Sequence, residues 1–269
     1  MKRIAICLII ALLVAAASLI AATASLLDPR LLPQQSVSTL TPEQPRRVPD
    51  SKASAPVSAI PSPQFPMEKG TSWVYEGTVK WTLENSNQVE TRQTRWTTEI
   101  TESFEYPGIR IAILRGFPLD LALYEEGKAP GYSLLIESDN RFYYLRAESE
   151  QEALQLASEF PSMTNDLLET AELLLDLPLQ VGKRYNQFGE RDDNMYCWSV
   201  ESEKLTFLHV KGFPTQEVIT RYRLIYRTNP DHEIIDVVPG LGIVHYIYEH
   251  HGTVAFADVR LKEFHHPAG

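Results

Sequence analysis

The sequence predicts a mainly β protein: an antiparallel meander that forms an incomplete barrel or a sandwich, with two helices inserted near the middle. Many short runs alternate between apolar and polar residues and are separated by Gly, Pro and Asn, which is typical of strands joined by turns. Helical spacing replaces this alternation only between residues 148 and 176. The hydrophobic content of 43% is enough for a large core.

The first 66 residues predict export to the outside of the cytoplasm, by one of two routes. Residues 4–27 carry no charge and follow Lys2 and Arg3, so they are long enough to anchor the chain in the plasma membrane with its N-terminus inside. The same run fits a signal peptide cleaved after Ala24, which would secrete the chain. Residues 28–66 contain half of the 18 prolines and predict a disordered linker.

The folded domain is predicted to span residues 67–264, with a disordered tail at 265–269. Its first half, residues 67–147, opens with strict alternation from Trp73 to Leu83. A long and mostly polar strand follows from Val89 to Tyr106, with Trp96, Ile100 and Phe104 on one side. The remaining predicted strands of this half are Ile109 to Leu114, Tyr132 to Ile136 and Phe142 to Leu145.

The helical insert is predicted at residues 148–176. Ser149 and Glu152 have the spacing of a capping box, so they predict a helix start. Pro161 should end this first helix. The second predicted helix carries one apolar stripe, formed by Leu167, Leu168, Ala171, Leu174 and Leu175.

The second half, residues 179–264, is predicted to end in a hairpin that turns at His251-Gly252. Burial of one face sets its register, which places Tyr248 opposite Ala255 and His245 opposite Asp258. The other predicted strands of this half are Met195 to Val200, Leu205 to Val210 and Glu217 to Thr228.

Candidate site residues fall into three groups. A carboxylate beside a histidine can orient it as a base, so His245 and Asp258 are weak catalytic candidates, although no pattern places a serine or cysteine beside them. Arg221, Arg223 and Arg227 form a cationic row that could bind an anion or pair with carboxylates on a neighbouring strand. The aromatic candidates for a ligand-binding face are Trp73, Tyr75, Trp81, Tyr246 and Tyr248.

Other chemistry is not predicted. The net charge of −10 argues against nucleic acid as a partner, because phosphate binding needs clustered cations. No cofactor motif is present. All seven histidines lie from His209 onward. Neighbouring residues on a strand point to opposite faces, so His250 and His251 could chelate an ion together only if the turn bends them towards each other, and no metal site is predicted.

Two turn motifs recur along the chain and suggest an internal duplication. The first runs from Phe65 to Trp73 and returns from Leu177 to Tyr185, with Pro, Gly and an aromatic residue at the same spacing. The second is a basic residue before Gly-Phe-Pro, at Arg115 to Pro118 and Lys211 to Pro214.

The segment from Leu177 to Tyr185 and the Pro-Gly-Leu-Gly-Ile-Val segment from Pro239 to Val244 resemble those of uncharacterised exported bacterial β domains, many of them lipoproteins. The resemblance covers residues 65–264 and implies an antiparallel β fold outside the cytoplasm with no established catalysis. This chain lacks the lipid-modified cysteine of the lipoprotein members.

These observations favour a non-catalytic extracytoplasmic domain that binds a ligand or an envelope protein. One alternative is a carrier that holds an apolar or lipid ligand in a half-barrel, against the aromatic face. In that case the inserted helices either cover the ligand or fill its place. The other alternative is a hydrolase that uses His245 and Asp258.

Overall fold

The computed structural model of the chain describes residues 65–83, 86–187, 193–214 and 218–267. The predicted anchor or signal peptide at 4–27 and nearly all of the predicted linker at 28–66 lie outside these residues. Within the described part, no helix combines the length and the apolar character that a membrane crossing requires.

In the part of the chain that the structure describes, one antiparallel sheet of twelve strands forms a barrel that is nearly closed and has a single open seam, so the predicted fold class is confirmed. Consecutive strands pair with each other, and the first strand also pairs with the last. The exception is the pair β6 and β7, which form the two edges of the seam. The strands are β1 (Ser72–Thr82), β2 (Val89–Tyr106), β3 (Ile109–Arg115), β4 (Tyr132–Ser138), β5 (Arg141–Ala147), β6 (Glu172–Asp176), β7 (Arg184–Tyr185), β8 (Trp198–Thr206), β9 (Ile219–Arg227), β10 (Asp231–Val238), β11 (Gly242–His250) and β12 (Ala255–His265).

The barrel interior is filled by its own side chains. Alternation along each strand sends every second residue inward, and large aromatic residues occupy many of these positions. Trp73, Tyr75, Tyr246 and Trp198 are among the largest fully buried side chains. A short 3-10 helix at Pro118–Leu121 adds buried residues to the same core.

The helical insert packs on the outside of the barrel. Helix α1 (Glu150–Thr170) begins at Ser149, whose hydroxyl accepts a hydrogen bond of 3.2 Å from the backbone N–H of Glu152. Met163 has non-helical φ and ψ two residues after Pro161 and divides α1 into two helical segments. The apolar side of α1 contacts the outward residues of β3 and β4; this outer cluster contains Ile111, Ile113, Leu134, Ile136, Ala153, Ala157, Phe160 and Leu167. The helices therefore do not fill the barrel.

Two predicted boundaries are wrong. The insert does not stay helical to residue 176, because Glu172–Asp176 is strand β6; its apolar run pairs with β5, where Phe142 lies opposite Leu175. The two strands predicted between Met195 and Val210 are replaced by the single strand β8, Trp198–Thr206. In each case pairing with a neighbouring strand overrides the local pattern.

Bulges and turns change which residues face each other. A bulge in β2 between Ile100 and Glu102 moves Phe104 to the outer cluster, away from Trp96 and Ile100, because one extra residue reverses the inward and outward positions. The closing hairpin is also shifted: Tyr248 lies opposite Ala257. The connection of residues 251–254 is longer than the predicted two-residue loop, which displaces the register by two residues.

The repeated motifs have matching geometry. Gly70 and Gly182 have φ values of 86° and 88°, a conformation that favours glycine. The backbone N–H groups of Gly70 and Gly182 donate to Ile100 O and Val200 O, both at 2.9 Å. Ile100 and Val200 each precede a bulge in their own strand. These parallels support the internal duplication, which stays a prediction.

Candidate functional site

A cleft lined by both polar and apolar side chains opens beside the seam. It consists of two adjoining, open depressions of about 350 and 380 Å³, and each has the volume to hold a small ligand. Both depressions are lined by Thr170, Glu172 and Glu233. We call this region the seam cleft; its other lining residues are Leu119, Tyr144, Leu145, Arg146, Ala171, Asn186, Tyr226, Thr228, Asp231 and Tyr248.

Glu172 enters the seam cleft from edge strand β6. Its strand partner on β5 is Tyr144, which is buried in the barrel core. Burial raises the pKa of the Glu172 carboxyl group, while a hydrogen bond from the Trp198 indole N–H and the charge of Arg146 oppose this shift. The indole nitrogen lies 2.9 Å from Glu172 Oε1, so β8 holds the carboxylate of β6 across the seam.

Glu233 enters the same cleft from β10. Its strand partners are Tyr226 on β9 and Tyr248 on β11. Burial and the nearby Glu172 carboxylate raise the pKa of Glu233 to about 7, although the Tyr246 hydroxyl donates a hydrogen bond to it. Two carboxyl groups that share a cleft tend to retain a proton. The pair can therefore both donate and accept hydrogen bonds near neutral pH.

A third carboxylate in the seam cleft, Asp231, has a lowered pKa, whereas the pKa values of Glu172 and Glu233 are raised. Tyr248 Oη and His250 Nδ1 each lie 2.6 Å from Asp231 Oδ1. Burial alone would raise the pKa of Asp231, but these hydrogen bonds hold it below its usual value. Asp231 is thus an ionised acceptor at the rim of the seam cleft.

Arg146 supplies the positive charge of the cleft. Its guanidinium donates to the Tyr144 hydroxyl and to Leu119 O, both at 3.2 Å. Asp120 also contacts Tyr144, with 3.4 Å between Oδ1 and the hydroxyl oxygen. The cleft therefore combines a guanidinium, tyrosine hydroxyls and two carboxyl groups, which gives a mixed set of donors and acceptors.

Sequence reasoning missed the seam cleft. The available signal was a charged residue at an inward position: Glu233 alternates with Ile235 and Val237, both of which are buried. Glu172 precedes an apolar run that fits the predicted second helix, so the sequence does not show it as an inward residue of a strand. The sequence does not show that Glu172 and Glu233 lie close together, because β6 and β10 are distant in the chain and meet only when the barrel closes.

The predicted pair His245 and Asp258 is in contact on the opposite face of the sheet. His245 Nε2 lies 2.8 Å from Asp258 Oδ1, and His245 Nδ1 lies 3.3 Å from Asp236 Oδ2. His245 is 4% exposed. Both ring nitrogens of His245 therefore contact carboxylates of the protein itself. The strand partner of His245 is Arg260, so the predicted opposition is wrong even though the contact exists. A catalytic role stays a prediction.

The arginine row is paired with carboxylates of neighbouring strands. Arg223 binds Asp236 through two hydrogen bonds of 2.7 and 2.9 Å, and Asp236 is fully buried. Arg221 lies 3.8 Å from the same carboxylate, and Arg227 donates to Glu201 at 3.0 Å. An external anion would compete with these carboxylates, and anion binding stays a prediction.

The five aromatic candidates point into the barrel and are at most 5% exposed. Their polar atoms bond to the protein: the Trp73 indole donates to Leu241 O at 2.7 Å and the Tyr75 hydroxyl to Ile243 O at 2.8 Å. The Tyr246 hydroxyl contacts Glu233 at 3.2 Å. Of the five, Tyr248 also lines the seam cleft. Ligand binding by this group stays a prediction.

In the described residues the chain is thus an antiparallel meander barrel with one open seam, an external helix and a cleft with two glutamates beside the seam. No protein-family model matches the chain, and no curated protein does either.

Two solved structures are similar to it. One, from Bacteroides fragilis, is described as a proposed exported protein with a YmcC-like fold; it is 11% identical, and the match covers 75% of this chain and 98% of that one with a TM-score of 0.39. The other, from Parabacteroides distasonis, is described as a proposed lipoprotein; it is 9% identical, and the match covers 75% and 97% with a TM-score of 0.34.

Proposed function

We propose that the chain is a non-catalytic extracytoplasmic binding domain that takes a small polyhydroxylated ligand, such as a saccharide, in the seam cleft. The extracytoplasmic location rests on the uncharged run at residues 4–27. The observation that carries the binding site is the shared cleft of Glu172 and Glu233, two half-buried carboxyl groups on strands β6 and β10.

The cleft favours hydroxyl groups over apolar groups. Charged and polar side chains of both hydrogen-bonding types converge there: Glu172 and Glu233, Arg146, and the hydroxyls of Thr170 and Tyr226. Each hydroxyl group of a saccharide donates one hydrogen bond and accepts others, so it matches such a mixed set. The ring of Tyr226 adds an aromatic surface to the same cleft.

The two alternative functions meet specific obstacles. An apolar ligand among Trp73, Tyr75 and Trp81 would have to displace side chains that already fill the core. A hydrolase centred on His245 would need one of the ring nitrogens to leave its carboxylate partner. The seam cleft needs neither rearrangement, since its carboxyl groups already line open space.

Binding can be tested in two steps with the full chain. Native mass spectrometry of the protein taken from its own envelope should show a co-purified saccharide. Titration calorimetry with N-acetylglucosamine and glucosamine trimers then separates a neutral from a cationic ligand. Above the pKa of Glu233, which is about 7, Glu172→Gln and Glu233→Gln should each weaken binding of the preferred trimer about tenfold, because a hydrogen bond to a charged group contributes roughly 1.5 kcal/mol or more.

The matched control is Glu126→Gln, since Glu126 is an exposed carboxylate whose partner Arg92 lies outside the seam cleft. This control should bind like the parent protein. Absence of any co-purified saccharide together with no binding of either trimer would refute the proposal. Equal loss of binding in the control and in the two cleft variants would also refute it.

A further inference from the structure

A second group of side chains lies outside the seam cleft, on the opposite face of the β10–β11 pair. His232 and Glu249 are direct strand partners, and His251 follows in the connection to β12. One ligand atom from each of these three residues lies within 4.8 Å of the others. His232 is half-buried, and Glu249 and His251 are exposed, so an ion would have access from solvent.

The spacing of the two imidazoles matches that of two zinc ligands. His232 Nδ1 and His251 Nε2 are 3.3 Å apart. Two nitrogens held at Zn–N distances of about 2.0–2.1 Å with a tetrahedral angle lie about 3.3 Å from each other. The rings are nearly perpendicular, with an interplanar angle of 82°. The two ring nitrogens form a hydrogen bond with each other, and a bound ion would replace this contact.

Neighbouring interactions position His251. The backbone N–H of His251 donates to Pro230 O at 2.7 Å, which ties the connection to the start of β10. His250, the next residue back, turns the other way and contacts Asp231. Arg227 is the strand partner of His232 on β9, and its guanidinium donates to Glu201, so another carboxylate offsets its positive charge.

We propose that His232, Glu249 and His251 form a binding site for a divalent transition metal of the zinc class. Two imidazoles and one carboxylate are a donor set that suits zinc, and three protein ligands leave a fourth position for water or for a group from another molecule. The sequence does not show this site, because the neighbour of His251 in the chain is His250, whereas its neighbour in the cluster is His232 on β10. The proposal is independent of the saccharide site.

The test is a titration of the metal-free full chain with zinc chloride, followed by calorimetry, and with cobalt chloride, followed by visible absorption. We expect one ion per chain and a cobalt spectrum of a four-coordinate site. His232→Ala and His251→Ala should each weaken zinc binding by about 100-fold, since even residues that only support metal ligands cost about 10- to 100-fold. Glu249→Gln should also weaken binding.

His209→Ala is the matched control, because His209 is an exposed histidine outside the cluster. It should bind zinc like the parent protein. Zinc should raise the melting temperature of the parent and of this control but not that of His232→Ala. Equal zinc affinity of the parent and both cluster variants, or no binding by the parent at 100-fold molar excess of zinc, would overturn the proposal. Circular dichroism confirms that each variant is folded.

Discussion

The buried carboxylate of Asp236 offers a sharp test of how the outer face of the barrel is stabilised. Arg223 binds it through two hydrogen bonds, and His245 contacts it from β11. Arg223→Ala would leave a fully buried carboxylate with one partner fewer. Breaking a buried ion pair costs roughly 3–5 kcal/mol. The Arg223 side chain is 38% exposed and His245 remains, so we expect the lower end, a loss of about 3 kcal/mol in the free energy of unfolding.

Urea denaturation at pH 7 measures this loss as a lower transition midpoint. Asp236→Asn in the Arg223→Ala background should recover part of it, because the unpaired charge is then absent; the double-mutant cycle isolates the coupling. The control is Arg95→Ala, which removes exposed contacts to Glu76 and Glu263 and should cost less than about 1 kcal/mol. Equal losses for Arg223→Ala and Arg95→Ala would refute the reasoning.

The lowered pKa of Asp236 also predicts how the stability loss in Arg223→Ala changes with pH. Burial alone would raise the pKa of Asp236, but hydrogen bonds from His245 and Arg223 hold it well below its usual value. A group whose pKa is lowered by folding stabilises the protein above its unfolded pKa, which is about 3.9 for Asp. This contribution is lost as the pH falls below that value. The stability difference between the parent and Arg223→Ala should therefore shrink in acid, and a difference that grows in acid would contradict the assignment.

Three further predictions concern the core and the seam. Gly77→Ala should cost about 3 kcal/mol in urea denaturation, because the added Cβ would lie 1.9 Å from Asp258 O; an unchanged midpoint would contradict this. Phe160→Ala should cost roughly 3–4 kcal/mol, since Phe160 is fully buried between α1 and the outer face of β3 and β4; an unchanged melting temperature would contradict this packing. Burial raises the pKa of Glu172, so Glu172→Gln should gain stability relative to the parent from pH 4 to pH 8, and a flat difference would contradict it.

Face assignments were more predictable than strand partners. The closing hairpin is displaced by two residues from the predicted register, yet Tyr246 and Tyr248 still point inward and His245 still reaches Asp258. A shift of two preserves the period of a strand. A bulge inserts one residue, so the side chains after it point to the opposite faces of the sheet. For this reason the predicted face of Phe104 is wrong.

Edge strands were the least predictable part of the fold. Strand β6 is the apolar segment Glu172–Asp176, which follows a helix and fits a helical stripe as well as it fits a strand. Only pairing with β5 decides between the two, and that partner lies about thirty residues earlier in the chain. Strand β7 contains just Arg184 and Tyr185. A segment of two residues carries no period that sequence reasoning could detect.

The position of the seam cleft follows from the way this barrel closes. Twelve strands enclose a wider interior than eight, which side chains only just fill, and here Trp73, Tyr75 and Trp198 supply the additional volume. At the seam the short edges are joined by side chains instead of a ladder, as where the Tyr185 hydroxyl donates to Leu174 O at 2.8 Å. Open space and unpaired backbone at such an edge favour polar side chains. The same closure that leaves the seam open therefore concentrates the carboxyl groups beside it.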